Sequence, residues 1–363
     1  MVQKVDVVTI KKTALVLADF IFPEYLGGSA RLASELNDSL VQSGFDVTCI
    51  TRRPTGQYSS NFKSSRAYRV VYIDEISLVL ALLVFGKWDV VISHHFTLGI
   101  FSYFFRNKSS LICYFFHGPV HLEQLSRGGS TFSAIVRRGI ECFVLLHQKR
   151  IFCLSDFMKC HLSKAFQSKT VITGPLHNFT FTTQPPLKPP RSGAINLLTV
   201  RRLTRRTGVI ELAKWVGKLN GAVTLSVAGG GELLESLREM EYSNVSVLGI
   251  VDDDELDRLY RQSDLVVLPS LELEGFGLII IESIIRGTPV LASDRAGGGA
   301  DFLRKFSPHF IYSLESGEDK FLDSVKQAID AYANDEVRSR LVSSIGDFNM
   351  KSFIDNHLLK AIK

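Results

Sequence analysis

Short apolar segments of strand length alternate with helix-length segments over nearly the whole chain. The apolar segments lie at residues 14–18, 47–51, 70–73, 90–93, 111–117 and 151–155, and then at residues 197–200, 224–227, 245–248, 265–268, 289–292 and 309–312. Helices fit between most of them, and the first, Gly28–Gln42, ends just before Gly44, which suits a left-handed helix cap. This alternation is typical of parallel β-sheets covered by helices, so we predict an α/β fold.

A boundary between two α/β units is predicted close to residue 173. Gly174 and Pro175 are followed by the sequence Pro-Pro-Leu-Lys-Pro-Pro at residues 185–190, and prolines at this density interrupt both helices and central strands. A chain of 363 residues also exceeds the usual size of a single hydrophobic core. Open parallel sheets bind ligands at the carboxyl ends of their strands, so a cleft between two such edges is the expected site.

Several other features narrow the class of protein. The five cysteines have neither zinc-binding spacing nor the pattern of a disulfide framework, so we expect buried, reduced thiols. The first residues do not resemble a secretory signal, which predicts a cytoplasmic protein. The longest uncharged apolar stretch, residues 76–86, is much shorter than the roughly 20 residues that cross a bilayer, and we predict that it forms a buried helix.

Charge is distributed unevenly between the two halves. Residues 1–180 carry 20 Lys and Arg against 12 Asp and Glu, whereas residues 181–363 carry 22 against 25. A basic half attracts anionic partners such as phosphorylated small molecules, acidic lipid surfaces or nucleic acid. A solvated surface excess of Lys and Arg explains the same distribution equally well.

The segment from the predicted strand 265–268 to Glu282 carries the strongest functional signal. A glycine loop between a buried strand and a helix directs several backbone N–H groups to one place, which suits a diphosphate or a sugar hydroxyl. Glu274 and Glu282 are eight residues apart, which places the second carboxylate about two helical turns further along. Two carboxylates at this spacing suit two polyol groups of one extended ligand. Glu282 also lies among isoleucines, where a carboxylate requires a partner.

Residues 274–282, Glu-Gly-Phe-Gly-Leu-Ile-Ile-Ile-Glu, resemble the E-x7-E element of the family-4 retaining glycosyltransferases. Other segments match this family in the same order, namely Leu26-Gly27-Gly28 with Arg31, His117-Gly118-Pro119, residues 200–208, residues 229–231 and residues 296–298. The resemblance implies the GT-B fold, with two Rossmann-like domains facing each other across a cleft. Residues 1–172 would bind the acceptor, residues 173–345 the nucleotide-sugar donor, and residues 346–363 would form a helix that returns to the first domain.

The resemblance also implies roles for individual residues. Glu282 would bind the nucleotide ribose, and Glu274, a catalytic residue, the hydroxyls of the donor sugar. His117, also catalytic, would lie beside the transferred sugar. The remaining donor-binding residues would be Gly27, Gly28, Arg202, Arg206, Gly275, Phe276, Gly277 and Leu278.

The arginine-rich segment at residues 200–208 departs from the family pattern. Arg201 stands where the family has a glycine, and Thr207 where it has a lysine. Arg202 keeps the cationic position for the leaving diphosphate, and we expect Arg206 to supply the charge that the missing lysine would have carried, with Arg205 as an alternative. A weakened donor site is the other interpretation.

No metal or cofactor is predicted. Residues 252–254 are three consecutive aspartates without a metal-ligand context, and Asp252 is better explained as the N-cap of a helix. Cationic side chains would stabilise the leaving diphosphate in place of a metal, as the family implies. The turn at residues 229–231 lacks a complete dinucleotide-binding pattern and is predicted to be a tight turn.

The sequence therefore predicts a retaining, metal-independent, hexosyltransferase-type enzyme that moves a sugar from a nucleotide-diphosphate sugar to a glycan or a lipid-linked acceptor. Bacterial surface glycan or glycoconjugate biosynthesis is the expected setting, with peripheral contact with an anionic membrane and without a nucleic-acid partner. Two alternatives remain open. One is a non-catalytic homologue or partner subunit that binds nucleotide sugars, and the other is a nucleotide-sugar epimerase.

Overall fold

The structure is a computed structural model that describes residues 11–23, 25, 27–54, 66–105, 111–126, 128–179, 193–219 and 221–362. The proline cluster at residues 185–190 lies outside the described residues. The described residues form two parallel sheets, one in each half of the chain, and the helices pack against these sheets.

The first half forms a seven-stranded parallel sheet with the strand order β3-β2-β1-β4-β5-β6-β7. Its strands are β1 (Lys12–Leu17), β2 (Phe45–Thr51), β3 (Arg69–Tyr72), β4 (Val90–Ser93), β5 (Leu111–Phe116), β6 (Arg150–Cys153) and β7 (Thr170–Ile172). Because β1 lies at the point where the strand order reverses, the loops after β1, β4 and β5 meet at one edge of the sheet.

The second half forms a six-stranded parallel sheet with the order β10-β9-β8-β11-β12-β13. Its strands are β8 (Ile195–Val200), β9 (Val223–Ala228), β10 (Val245–Gly249), β11 (Leu265–Leu268), β12 (Val290–Ser293) and β13 (Ile311–Tyr312). Here the order reverses between β8 and β11, so the loops that follow these two strands are neighbours at the carboxyl edge.

Helices connect the strands and cover both sheets. In the first half they are α1 (Gly28–Gln42), α2 (Ile76–Phe85), α3 (Phe96–Gly99), α4 (Val120–Ser126), α5 (Thr131–Leu146), α6 (Asp156–Cys160) and α7 (Lys164–Gln167), with a 3-10 segment at Ile100–Phe105. In the second half they are α8 (Val209–Lys218), α9 (Leu234–Arg238), α10 (Asp253–Gln262), α11 (Ile279–Ile284), α12 (Gly297–Arg304), α13 (Gly317–Ala333), α14 (Asp335–Gly346) and α15 (Met350–Phe353). Further single turns are the 3-10 segments Arg205–Thr207 and Pro308–Phe310 and the π-helical segment Ile354–Leu359.

The central strands form the cores because both of their faces are covered. Every residue of β4, β5, β11 and β12 is buried, and this is why these strands are continuous apolar runs instead of alternating patterns. The predicted strands are confirmed with boundaries shifted by a few residues. The prediction missed β7, whose three residues Thr-Val-Ile are too short to form a recognisable pattern.

The prediction of a buried helix at residues 76–86 is wrong. Helix α2 does form, but only Val79 and Leu83 of it are buried, and Phe85 is 81% exposed. Helix α2 has apolar residues around its whole circumference. Its own sequence therefore does not indicate which face packs against the rest of the molecule and which face stays exposed. The sheet and the 3-10 segment Ile100–Phe105 cover only one side of it.

The end of the chain packs against the first half. Met350, Phe353, Ile354 and Leu358 are buried in the same hydrophobic cluster as α1 and the strands β1 and β5. The backbone N–H of Met350 donates to the carbonyl of His177, which pairs the returning segment with the connection between the two sheets. In the part of the chain that the structure describes, no helix has the length and hydrophobicity needed to span a membrane.

Candidate active site

The carboxyl edges of the two sheets contact each other across the cleft. The Ser155 hydroxyl, after β6, donates to the carbonyl of Gly275 at 2.7 Å. Gly28 at the start of α1 lies so close to Leu278 that a Cβ atom there would be 3.3 Å from the leucine side chain. The predicted donor loop at residues 274–278 and the Gly27-Gly28 turn are therefore brought together from opposite halves.

Close packing of two backbone segments fixes the loop between β11 and α11. The start of α12 lies directly against it, and the N–H of Gly298 donates to the carbonyl of Glu274 at 3.2 Å. A Cβ atom at Gly298 would be 2.2 Å from the carbonyl oxygen of Gly275, so only glycine permits this approach. The glycines at residues 297–298 thus hold the predicted donor loop in place from behind.

The carboxylate of Glu274 is bonded within the second half. Its Oε2 atom lies 2.5 Å from Nη2 of Arg201 and accepts from the Ser270 hydroxyl at 3.1 Å. Burial raises the pKa of Glu274, but the Arg201 guanidinium, together with Arg206 and Ser270, outweighs burial and leaves the pKa below its ordinary value. Glu274 is therefore held ionised and oriented.

The carboxylate of Glu282 has the partner that its apolar surroundings require. Its Oε2 accepts from the Tyr260 hydroxyl at 2.6 Å, and its Oε1 lies 3.5 Å from Nη1 of Arg31 in the opposite half. Burial and the neighbouring carboxylate raise the pKa of Tyr260 far above its ordinary range, so Tyr260 remains a donor. The side chain of Glu282 keeps 14% exposure, enough to contact a ligand at the cleft.

The arginine-rich loop after β8 directs its side chains to different partners. Nη2 of Arg202 donates to the Tyr25 hydroxyl at 2.7 Å, and Nη1 of Arg206 donates to the carbonyl of Leu273 at 3.2 Å. The Thr207 hydroxyl contacts the carbonyls of Arg202 and Thr204 and is buried. Thr207 therefore closes the loop that presents Arg202, a structural role that the sequence did not indicate.

His117 follows β5 at the edge that faces the donor loop. Its Nε2 lies 3.3 Å from Nδ1 of His94, and its backbone carbonyl lies next to Gly275. Burial, with a contribution from His95, lowers the pKa of His117 to about 4, and burial also lowers the pKa of His94 well below its ordinary value. Both imidazoles are neutral at pH 7, so His117 can hydrogen-bond a sugar hydroxyl without carrying charge.

The structure places all the predicted site residues at the cleft-facing edges of the two sheets or in the loop and helix that follow β11. These residues are Gly27, Gly28, His117, Arg202, Arg206, Glu274, Gly275, Phe276, Gly277, Leu278 and Glu282. Phe276 differs from the others because its ring is buried in the core of the second half, so only its backbone can face a ligand.

Sequence reasoning singled out Arg31 and Arg201 but did not predict which carboxylates they contact, and it missed Tyr260. Arg31 and Tyr260 bind Glu282, and Arg201 binds Glu274, but their spacing along the chain gives no sign of these contacts. Asp19 and His95 were also missed, although each follows a buried strand at the ligand-binding edge, which was a usable signal.

Two further predictions concern groups outside the cleft. Asp252 is the N-cap of α10, because its side chain accepts from the N–H of Glu255 at 2.8 Å. All five cysteines are free thiols, but the prediction that they are buried is wrong for Cys142, which is partly buried, and for Cys160, which is exposed. Within the described ranges, no group of three or more His, Cys, Asp or Glu side chains is arranged to hold a metal ion.

Comparison with known proteins identifies the class. The family described as Glycosyl transferases group 1 matches residues 183–343, and the family described as Glycosyltransferase Family 4 matches residues 26–173. Together these two matches span most of the chain. The chain therefore belongs to the family-4-type glycosyltransferases with the GT-B fold, and both the fold and the family that the sequence predicted are confirmed.

Individual relatives are distant. An uncharacterized glycosyltransferase of Methanocaldococcus jannaschii is 25% identical over 311 residues, which cover 76% of this chain and 78% of the relative. Sucrose-phosphate synthase from Thermosynechococcus elongatus superposes with a TM-score of 0.72 at 17% identity, covering 94% of this chain and 96% of that one. HepE of Anabaena, in a complex with UDP-glucose, has a TM-score of 0.69 at 14% identity, covering 96% and 99%.

Proposed function

We propose that this glycosyltransferase moves a hexose from a nucleotide-diphosphate sugar to an acceptor with retention of anomeric configuration. The observation that carries the proposal is the placement of Glu274 and Glu282, two oriented carboxylates along one loop and helix at the cleft. A structural neighbour, HepE, binds UDP-glucose. A nucleotide-diphosphate sugar has hydroxyls on its ribose and on its hexose, with a diphosphate between them. The two carboxylates suit the two sets of hydroxyls, and the nearby arginines suit the diphosphate.

In this proposal Glu282 binds the ribose, and Glu274 accepts hydrogen bonds from hydroxyls of the donor sugar. Arg202 and Arg206 bind the diphosphate, because guanidinium groups form charge-assisted hydrogen bonds with phosphate oxygens. The backbone N–H groups of residues 275–278 and of the Gly27-Gly28 turn complete the donor site. The charge on these arginines is the basis for proposing that transfer requires no metal ion or cofactor.

Retention is proposed to proceed by attack on the same face from which the diphosphate leaves. The acceptor hydroxyl gives its proton to an oxygen of the departing diphosphate, the new glycosidic bond forms, and the bond to the diphosphate breaks. His117 stays neutral and orients the sugar through a hydrogen bond. Glu274 is paired with Arg201, so it is not a free nucleophile for a covalent glycosyl intermediate.

The first half is proposed to bind a glycan or lipid-linked acceptor at a membrane surface, as in bacterial surface glycan synthesis. Helix α2, the 3-10 segment Ile100–Phe105 and α5 adjoin one another and carry most of the exposed large apolar side chains of the described residues. We name this surface the apolar helical face. Its members are Ile76, Leu78, Leu80, Val84, Phe85, Ile100, Phe104, Phe132, Ile135, Val136, Phe143 and Leu146.

The charge of the apolar helical face favours contact with anionic lipids. Helix α2 and the 3-10 segment contain no charged residue, and the charged residues of α5 are Arg137, Arg138 and the buried Glu141. Burial raises the pKa of Glu141 to about 8, so it is mainly neutral at pH 7. Asp74 and Glu75, just before α2, are both paired with Arg53, and Arg137 and Arg138 keep the net charge beside the apolar side chains positive. Apolar side chains accompanied by net positive charge are typical of surfaces that bind acidic membranes.

A screen of nucleotide sugars tests the proposed function. Thermal unfolding is measured with UDP-, GDP-, ADP- and dTDP-hexoses, and each stabilising donor is then incubated with the enzyme in EDTA while products are followed by NMR. We expect release of a nucleoside diphosphate and a sugar that first appears in the donor's anomeric configuration. Binding without release would favour a non-catalytic homologue, and interconversion of nucleotide sugars without release would favour an epimerase. Activity that requires added manganese would contradict metal independence.

A further inference from the structure

A second group of polar side chains lies at the carboxyl edge of the first sheet, beside His117. Asp19 follows β1, and His94 and His95 follow β4, the strand between β1 and β5. These three strands are adjacent, so their loops converge on the edge that the proposed function assigns to the acceptor. His94 is buried behind His117, whereas Asp19 and His95 form a separate pair.

Asp19 fixes the orientation of His95. The Asp19 carboxylate lies 2.8 Å from Nδ1 of His95, accepts from the Thr97 hydroxyl, and is 3.6 Å from the Arg52 guanidinium. Burial raises the pKa of Asp19, but His95, Thr97 and Arg52 outweigh burial and the net pKa is lowered. In the neutral imidazole, an ionised carboxylate at Nδ1 selects the tautomer with the proton on that nitrogen, and the lone pair is then on Nε2.

The Nε2 atom of His95 is available for a ligand. The His95 side chain is 38% exposed, while the side chain of Asp19 that holds it is only 12% exposed. Among the described residues, every hydrogen bond of the ring involves Nδ1. The backbone N–H of Thr97, at the start of α3, lies 3.5 Å from Nδ1, but a nitrogen that carries its proton toward Asp19 cannot accept from it. The shorter contact with Asp19 therefore sets the tautomer of His95.

A pair of aromatic rings lies in the loop after Asp19. Phe20 and Tyr25 stack with their centroids 4.4 Å apart, both rings are partly exposed, and Tyr25 contacts Arg202 of the other half. Aromatic rings beside a hydrogen-bond acceptor offer both an apolar face and a polar group. A saccharide has the matching features, because its ring carries an apolar C–H face and polar hydroxyls. Arg202 contacts Tyr25, Tyr25 stacks on Phe20, and Phe20 directly follows Asp19, which holds His95. This series of residues connects the proposed diphosphate site with His95.

We propose that Asp19 and His95 form an acceptor-binding subsite for a saccharide. His95 Nε2 accepts a hydrogen bond from a hydroxyl of the acceptor that does not react, and the Phe20-Tyr25 pair contacts the sugar ring. The attacking hydroxyl remains free to give its proton to the diphosphate. His95 is thus a binding residue, Asp19 is a positioning residue, and the inference rests on the proposed function.

Variants separate acceptor binding from donor chemistry. His95→Ala and Asp19→Asn are compared with His309→Ala, which removes an exposed histidine of the second half. Donor hydrolysis is measured without acceptor, and transfer is measured to a panel of p-nitrophenyl monosaccharide glycosides. We expect the acceptor KM to rise at least about tenfold in His95→Ala and to rise in Asp19→Asn, with a much smaller change in the rate of donor hydrolysis, whereas His309→Ala should change neither quantity. Equal loss of hydrolysis and transfer, or wild-type transfer, would overturn the proposal.

A binding measurement tests the acceptor subsite even if the protein shows no glycosyl transfer or donor hydrolysis. The imidazole ¹⁵N resonances of His95 are recorded in the wild type while the same glycosides are added. We expect an unprotonated Nε2 in the free protein and a shift of that resonance with at least one glycoside, whereas Asp19→Asn should lose the single tautomer. A wild-type His95 resonance that no glycoside shifts would overturn the subsite, even if the enzyme proves active.

Discussion

The two edges of the cleft differ in how their polar groups are held. On the edge that we propose for the donor (the donor edge), Glu274 and Glu282 are carboxylates fixed by charged or hydroxyl partners, and arginines lie near them. On the edge that we propose for the acceptor (the acceptor edge), His94 and the partly buried His117 form a neutral pair, and the ionised carboxylate of Asp19 on the same edge is held by His95, Thr97 and Arg52. Fixed charges suit a ligand with a diphosphate, and neutral hydrogen-bonding groups suit an uncharged saccharide.

Because the donor edge depends on paired charges, a change of charge there requires compensation, and both departures from the family pattern, Arg201 and Thr207, are compensated. Arg201 adds a positive charge where the family has glycine, and the structure pairs that charge with Glu274. Thr207 removes a positive charge where the family has lysine, and its hydroxyl closes the loop instead. The two departures lie in one loop and leave its count of positive charges unchanged.

The largest effect is expected for Glu274→Ala. Loss of the carboxylate removes hydrogen bonds to the reacting sugar, so we expect the transfer rate to fall by about 100-fold, roughly 2.7 kcal/mol, with affinity for the free nucleotide diphosphate nearly unchanged. Glu272→Ala is the matched control, because Glu272 is exposed in the same loop. Steady-state kinetics and calorimetry separate the two quantities. Nucleotide affinity that falls as far as transfer would contradict the role of Glu274.

A smaller effect, about tenfold, is expected on donor affinity for Arg206→Ala. Charge-assisted hydrogen bonds between arginine and phosphate contribute about 1.5 to 3 kcal/mol. Arg205→Ala should change little, because Arg205 is exposed. Thr207→Lys should not strengthen binding, since it removes the hydroxyl that closes the loop around Arg202. Unchanged affinity in Arg206→Ala beside improved affinity in Thr207→Lys would instead indicate a weakened donor site.

The neutral histidines of the acceptor edge predict a pH effect on stability. His94 and His117 have pKa values lowered by burial, so the unfolded chain binds more protons than the folded one between about pH 6.5 and pH 4. Their contribution is present above pH 6.5 and is lost as the pH falls through that range. The urea midpoint should therefore decrease less steeply with falling pH in a His94→Asn, His117→Asn variant than in the wild type. Identical slopes would contradict neutral burial.

The smallest effect concerns the apolar helical face. Binding to vesicles that contain phosphatidylglycerol should weaken severalfold when salt rises above 0.1 M, because exposed charges are then screened within about 10 Å. Arg138→Glu should weaken binding further, whereas Lys326→Glu, a charge reversal on α13, should not. Absent or salt-independent binding would contradict contact with an anionic membrane. The excess of Lys and Arg in the first half would then be explained as ordinary solvated surface charge.

Much of the fold could be predicted because buried parallel strands are continuous apolar runs. Strand β11 was predicted with its boundaries correct, and the loop after it identified Glu274 and Glu282. Helix α2 shows the limit of this reasoning. Its apolar residues predict burial, but exposure depends on whether another element covers each side, and that is a property of the assembled fold.

The partners of the site residues could not be predicted for a related reason. Arg31 and Glu282 are 251 positions apart, and Arg201 and Glu274 are 73 apart. Composition shows that Glu282 requires a partner, but the identity of that partner follows from how the two sheets face each other. Asp19 and His95 could have been found by asking which polar residues follow buried strands.

Calorimetric titration of the nucleoside diphosphate against wild type and Glu282→Gln tests the central claim, that the second half binds the donor through this carboxylate. Gln keeps the shape of Glu and can still accept from Tyr260, but it lacks the charge that strengthens hydrogen bonds from ribose hydroxyls. We expect affinity to fall about tenfold or more in Glu282→Gln. Equal affinities for the two proteins would contradict the assignment of the donor site.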